Sequence, residues 1–139
     1  MTAFAAAGTF PSQVEAVLQD HPAIKEVLVI GVADAYRGRE IKQAINDLIY
    51  AGAGYKRDTL MLNGKCLEVG SGASLLAYIG HDGLMEFDLD EIPKSKDGVE
   101  REAIILACIS KDYFNKYVVA ANMYPLVWTT GLMAPEAYT

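Results

Sequence analysis

Two stretches end on residues that could serve as base or nucleophile. Ser74-Leu75-Leu76-Ala77-Tyr78-Ile79-Gly80-His81-Asp82-Gly83 is an apolar run ending on a histidine flanked by glycines, and Ala103-Ile104-Ile105-Leu106-Ala107-Cys108-Ile109-Ser110 is a second run ending on a cysteine. Short, nearly continuous apolar runs read as strands buried in a parallel sheet. Ligands and catalytic groups gather at the carboxyl ends of such strands. If the two strands are neighbours, His81 and Cys108 emerge side by side. A thiol is a useful nucleophile only as the thiolate. His81 could take its proton, and a helix starting just after Cys108 would favour the anion. The chemistry implied is that of a thiol hydrolase.

The same residues resemble the caspase-like cysteine peptidases, a group that includes caspases, gingipains and the bacterial CHAT domains. In that family the histidine follows a hydrophobic strand and the cysteine ends the next. The matching residues are Tyr78-Ile79-Gly80-His81-Asp82-Gly83 and Leu106-Ala107-Cys108-Ile109-Ser110, within a resemblance spanning residues 27 to 130. It implies His81 as general base, Cys108 as nucleophile and the Gly83 amide as an oxyanion donor. Asp82 stands between the histidine and the glycine, where the family usually has His-Gly.

The other reactive groups point elsewhere. Cys66 alternates with apolar neighbours and reads as a small half-buried residue. The two cysteines make no metal-ligand spacing, and a disulfide between them is not expected in a reducing compartment. His21, before Pro22, reads as a surface or cap residue. Asp82, Glu86, Asp88, Asp90 and Glu91 put five acids in ten residues, but the spacing fits no EF-hand loop and reads as a solvated acidic loop. Gly70-Ser71-Gly72-Ala73 lacks the lysine and spacing of a phosphate loop. No cofactor or metal is expected.

Helix and strand signals alternate along the rest of the chain. Ser12 with Glu15 has capping-box spacing and opens a helix over 12–20, ended by His21-Pro22. Glu26 to Ala33 is β-branched and apolar, suited to a sheet centre. Ile41, Ala44, Ile45, Leu48 and Ile49 set one face of a helix over 39–50, with Gly52 or Gly54 as its left-handed cap. Asn63-Gly64 between short apolar runs signals a hairpin. The runs 75–80 and 103–108 are strands, and the charged stretch 94–102 is a surface loop. Ser110 caps a helix over 111–121 with Phe114, Tyr117, Val118 and Ala121 on one face. Tyr124 to Thr129 is a last strand with Pro125 near its start. Ala134-Pro135-Glu136 reads as the first turn of a further helix.

Another segment has a different resemblance. Pro11-Ser12-Gln13-Val14-Glu15-Ala16-Val17-Leu18, His21-Pro22-Ala23-Ile24, Val29-Ile30-Gly31-Val32-Ala33-Asp34 and Tyr36-Arg37-Gly38 are similar to the C-terminal subdomain of AMP-forming acyl-CoA synthetases, over residues 10 to 38. That family later carries a Pro-Lys-Thr-x-x-Gly-Lys loop whose last lysine contacts the adenylate. Here Pro93-Lys94-Ser95-Lys96-Asp97-Gly98-Val99 ends in valine. The large adenylate-binding domain has no counterpart, so a complete ligase is excluded, and the segment suggests a junction near 33–42.

Composition sets the outer bounds. The 139 residues suit one domain with a core, and 52% hydrophobic against 22% charged residues makes the chain globular. A net charge of −6 without a basic stripe argues against nucleic acid and anionic membranes as partners. No apolar run nears the ~20 residues of a bilayer span, and the start lacks the basic region of a signal peptide, so a cytoplasmic location is expected. The apolar stretch Leu126 to Met133 predicts some self-association.

The expected fold is a single α/β domain over 1–139, a three-layer sandwich with a mostly parallel sheet of caspase-like or flavodoxin-like form. Three functions fit the residues: a Cys108/His81 thiol hydrolase, a non-catalytic α/β domain or chimeric fragment, and a remnant of an adenylate-forming small domain.

Overall fold

The computed structural model describes residues 2–4, 31–33, 36 and 38–133. The helix expected over 12–20, His21, most of the strand expected over 26–33 and the turn at Ala134-Pro135-Glu136 lie outside the described residues.

Five strands form one parallel sheet: β1 (Thr2–Phe4), β2 (Gly31–Ala33), β5 (Leu75–Ile79), β6 (Arg101–Leu106) and β7 (Met123–Trp128), in the order β2-β1-β5-β6-β7. Two further strands, β3 (Arg57–Leu62) and β4 (Lys65–Gly70), pair as a separate antiparallel hairpin. Two helices complete the frame, α1 (Ile41–Gly52) and α2 (Ser110–Ala120). The chain is therefore α/β with a parallel sheet.

The helices lie where the connections require. From β2 to β5 and from β6 to β7 the chain steps across the sheet in the same direction. Right-handed crossovers then put α1 and α2 on one face. That face is the core: Ala44, Ile45, Leu48 and Ile49 of α1 and Phe114, Tyr117 and Val118 of α2 pack with Leu76, Tyr78, Ala103 and Ile105 of the sheet. Leu75, Ile79, Ile104 and Leu106 alternate to the opposite face and are half-buried.

Several sequence expectations shift. The strand expected over 103–108 runs from Arg101 to Leu106, so Cys108 stands two residues beyond its end rather than on it. Arg101, expected in a surface loop, is 1% exposed. Its guanidinium donates to Ser71 O at 2.9 and 2.5 Å, to Gly52 O at 3.0 Å and to Asp97 Oδ2 at 2.7 Å. Ser110 does not cap α2 as expected; Ile109 is the capping position, and the Ser110 hydroxyl donates to Ile105 O at 2.8 Å. Cys66 is exposed, because both faces of the hairpin there meet solvent. The turn itself is as the sequence suggests, with Asn63 and Gly64 both at positive φ (50° and 76°). Pro125 sits in the edge strand β7, where the register skips between Ala103 and Ile104 and one residue is left unpaired.

Candidate functional site

Adjacent strands carry the two residues singled out by the sequence. Ile79 of β5 pairs with Leu106 of β6, and Gly80 N donates to Leu106 O at 3.1 Å, extending the alignment by a residue. His81 and Cys108 each follow two residues beyond that last pair, at the carboxyl edge of the sheet. Of these strands, β5 borders the position where the chain order reverses, between β1 and β5.

The His81 carbonyl is held by two donors. Tyr78 Oη donates to His81 O at 2.7 Å. Burial pushes the Tyr78 phenol up to about 12, so it stays a neutral donor. The Gly83 amide donates to the same carbonyl at 3.1 Å. Gly83 opens a short 3-10 turn (Gly83–Met85), and a Cβ there would lie 2.6 Å from Ile41 Cγ2 and from the Phe87 ring. Glycine is thus required at 83 for close packing. Its amide, expected as an oxyanion donor, already has an acceptor.

The His81 ring itself is exposed, and its Nε2 lies 3.0 Å from Glu86 Oε1. A carboxylate on one ring nitrogen fixes the tautomer and leaves the other nitrogen for proton transfer. Sequence reasoning missed Glu86. It was one acid among five, and only the turn of 83–85 brings it back to the histidine.

Asp82 is fully buried. Its Oδ1 accepts from Leu84 N at 3.0 Å, while Oδ2 has no partner. Burial pushes its carboxyl up to about 6, against the lesser pull of the Leu84 amide and His81. The other acids of this run are spent on neighbours. Lys42 Nζ donates to Asp90 at 2.8 Å, Tyr50 Oη to Glu91 at 3.2 Å, and Lys116 and Tyr117 both to Asp88. The loop is thereby pinned to both helices. Among the described residues no group of three or more His, Cys, Asp or Glu could hold a metal ion.

Cys108 is partly exposed. Its thiol meets the segment that follows β7: Met133 N donates to Sγ at 3.3 Å, and Sγ donates to Met133 O at 3.6 Å. No hydrogen bond joins Cys108 to His81 among the described residues; the strand register brings them to one edge, but their bonds go to different partners. Ile109, next to Cys108, has φ 49°. A β-branched residue rarely adopts that left-handed backbone, and such strain clusters at functional sites. Ile109 N donates to Gly131 O at 2.9 Å.

No family model, curated protein or solved structure matches the chain. No described helix is long and apolar enough to cross a membrane.

Proposed function

We propose that the chain is a caspase-like α/β domain with a thiol-hydrolase site, in which Cys108 is the nucleophile, His81 the base and Glu86 the group that orients His81. The observation that carries this reading is the register of β5 and β6, which delivers a histidine and a cysteine to the same edge of a parallel sheet. The strained backbone at Ile109 and the Glu86 contact to the imidazole support it.

The reaction is acyl transfer. Cys108 Sγ attacks the carbonyl carbon of an amide or ester as its proton passes to His81. His81 returns that proton to the departing amine or alcohol as the old bond breaks. Water then releases the acid from the thioester, with His81 again taking and giving the proton. The two ring nitrogens divide the labour, one held by Glu86 and one left to exchange protons.

The three-layer form belongs to the same proposal. β1 and β2 are parallel neighbours and the step between them runs opposite to the other crossovers. Right-handed crossovers that run in opposite directions through one sheet carry their connections on opposite faces, which is the topology a three-layer sandwich needs. On this reading the similarity of residues 10–38 to acyl-CoA synthetase small domains carries no adenylate site. Val99 in place of the lysine supports this.

The test is acyl transfer from p-nitrophenyl acetate, followed by peptide mass spectrometry. We expect acetyl on Cys108, lost in Cys108→Ala and formed about 10²-fold more slowly in His81→Ala, the range of general-base effects. Acetyl spread over Cys66 and lysines, with none favoured at Cys108, would overturn the reading.

A further inference from the structure

The segment after β7 returns across the carboxyl edge of the sheet and occupies the groups that a substrate would need. Thr129 is its root. Thr129 N donates to Ser110 Oγ at 2.9 Å, Thr129 Oγ1 donates to Ala107 O, and Ser110 N donates back to Thr129 Oγ1 at 3.1 Å. Lys111 N donates to Thr129 O at 3.0 Å. Beyond the root, the chain turns over Cys108. Gly131 O accepts from Ile109 N, and the Met133 peptide engages Sγ as donor and acceptor.

Those two contacts coincide with the needs of acyl transfer. The amide following a nucleophile is a natural oxyanion donor. Here that amide, Ile109 N–H, already holds a peptide carbonyl. The thiol that would attack is held against a second peptide unit two residues further on. An acyl group cannot reach both positions while the segment stays.

The outer half of the segment is lightly fastened. Leu132 is 78% exposed, and a Cβ at Gly131 would meet no atom within 4 Å. Gly131 and Leu132 are exposed, and segments with few buried apolar contacts open at low cost. Thr129, by contrast, is bonded into the α2 start and the end of β6.

Resting on the acyl-transfer reading above, we propose that Thr129–Met133 is an autoinhibitory strap. It holds the place of an extended peptide substrate across Cys108, hinged at Thr129, and must lift at Gly131–Met133 before the thiol reacts. The occupant's own chemistry sets the substrate class: a polypeptide strand whose carbonyl takes the Ile109 amide.

The test compares iodoacetamide labelling of Cys108 in the full chain and in Met133→Pro, which removes the amide that donates to Sγ, with Cys66 as internal control. We expect labelling of Cys108 to rise at least tenfold while Cys66 is unchanged. Hydrogen exchange on the unaltered chain gives a reading that needs no variant: the Ile109 and Met133 amides should exchange faster than those of Ile104–Leu106. A folded Met133→Pro chain with unchanged Cys108 labelling, or an Ile109 amide that exchanges only together with β6, overturns the strap. Adding His81→Ala to Met133→Pro separates the two claims. A raised rate that does not fall without His81 supports the strap as a cover and overturns the acyl-transfer reading alone.

Discussion

Asp82 is the described side chain whose chemistry fits its surroundings least. Its orphaned Oδ2 favours the protonated acid, so its folded pKa, about 6, lies above the ordinary carboxylate value. The folded state then binds a proton more tightly than the unfolded chain. The stability this contributes is complete below about pH 4 and is lost as the pH rises through 6. Asp82→Asn keeps the acceptor for Leu84 N and removes the titration. We expect the stability difference between wild type and Asp82→Asn, from urea midpoints, to change by on the order of 2 kcal/mol between pH 4.5 and 7.5. The comparison cancels carboxylates that titrate in the opposite sense, such as Asp88, whose carboxyl Lys116 lowers. A difference constant across that range would mean that Asp82 finds a partner when ionised. At this scale the sequence is readable where the residue type is rare. A histidine and a cysteine at the ends of apolar runs stand out. Asp82 and Glu86 do not, because an acid in an acidic run has no mark that separates the buried one, the one beside His81 and the solvated ones.

Elements are readable where one period dominates. The apolar face of α1, the Asn63-Gly64 turn and the strands around His81 and Cys108 follow directly from spacing. β1 does not: three residues, Thr2-Ala3-Phe4, give no alternation to count, yet that strand lies between β2 and β5. The start of β6 is hidden for a different reason. Arg101 looks like a loop residue because a lone buried charge is costly. Here its five donors meet the C-terminal end of α1, the turn before β5 and Asp97, so the charge is offset by hydrogen bonds. The guanidinium beside Asp97 holds that carboxyl down to about 2. Arg101 thus fastens three elements at the edge of the sheet opposite Cys108. Arg101→Met leaves buried carbonyls of Ser71 and Gly52 without donors, and we expect a loss of about 3 kcal/mol in urea unfolding. A loss below about 1 kcal/mol would show that α1 and β6 hold together by apolar packing alone.

The whole molecule does what neither run can do by itself. His81 and Cys108 are separated by an acidic loop, a charged loop and a strand, and only the pairing of β5 with β6 brings them to one edge. The sheet order β2-β1-β5-β6-β7 was not legible, since the outer strands carry no mark of which neighbour they join. The parallel α/β class was, because apolar runs alternate with amphipathic helices. Tyr124, Leu126 and Val127 of the edge strand β7 are exposed.

If this edge couples His81 to Cys108, the imidazole sets the supply of thiolate. The most direct measurement is the iodoacetamide labelling rate of Cys108 at neutral pH in wild type and in His81→Ala, each referred to exposed Cys66 in the same chain. Reagent is kept low enough for the strap to open and close between labelling events. We expect His81→Ala to lower the Cys108 rate about tenfold while the Cys66 rate holds, as when a neighbouring base sets thiolate supply. Equal Cys108 rates in the two chains would contradict it, and Cys108 would then be a structural cysteine under a strand-end loop.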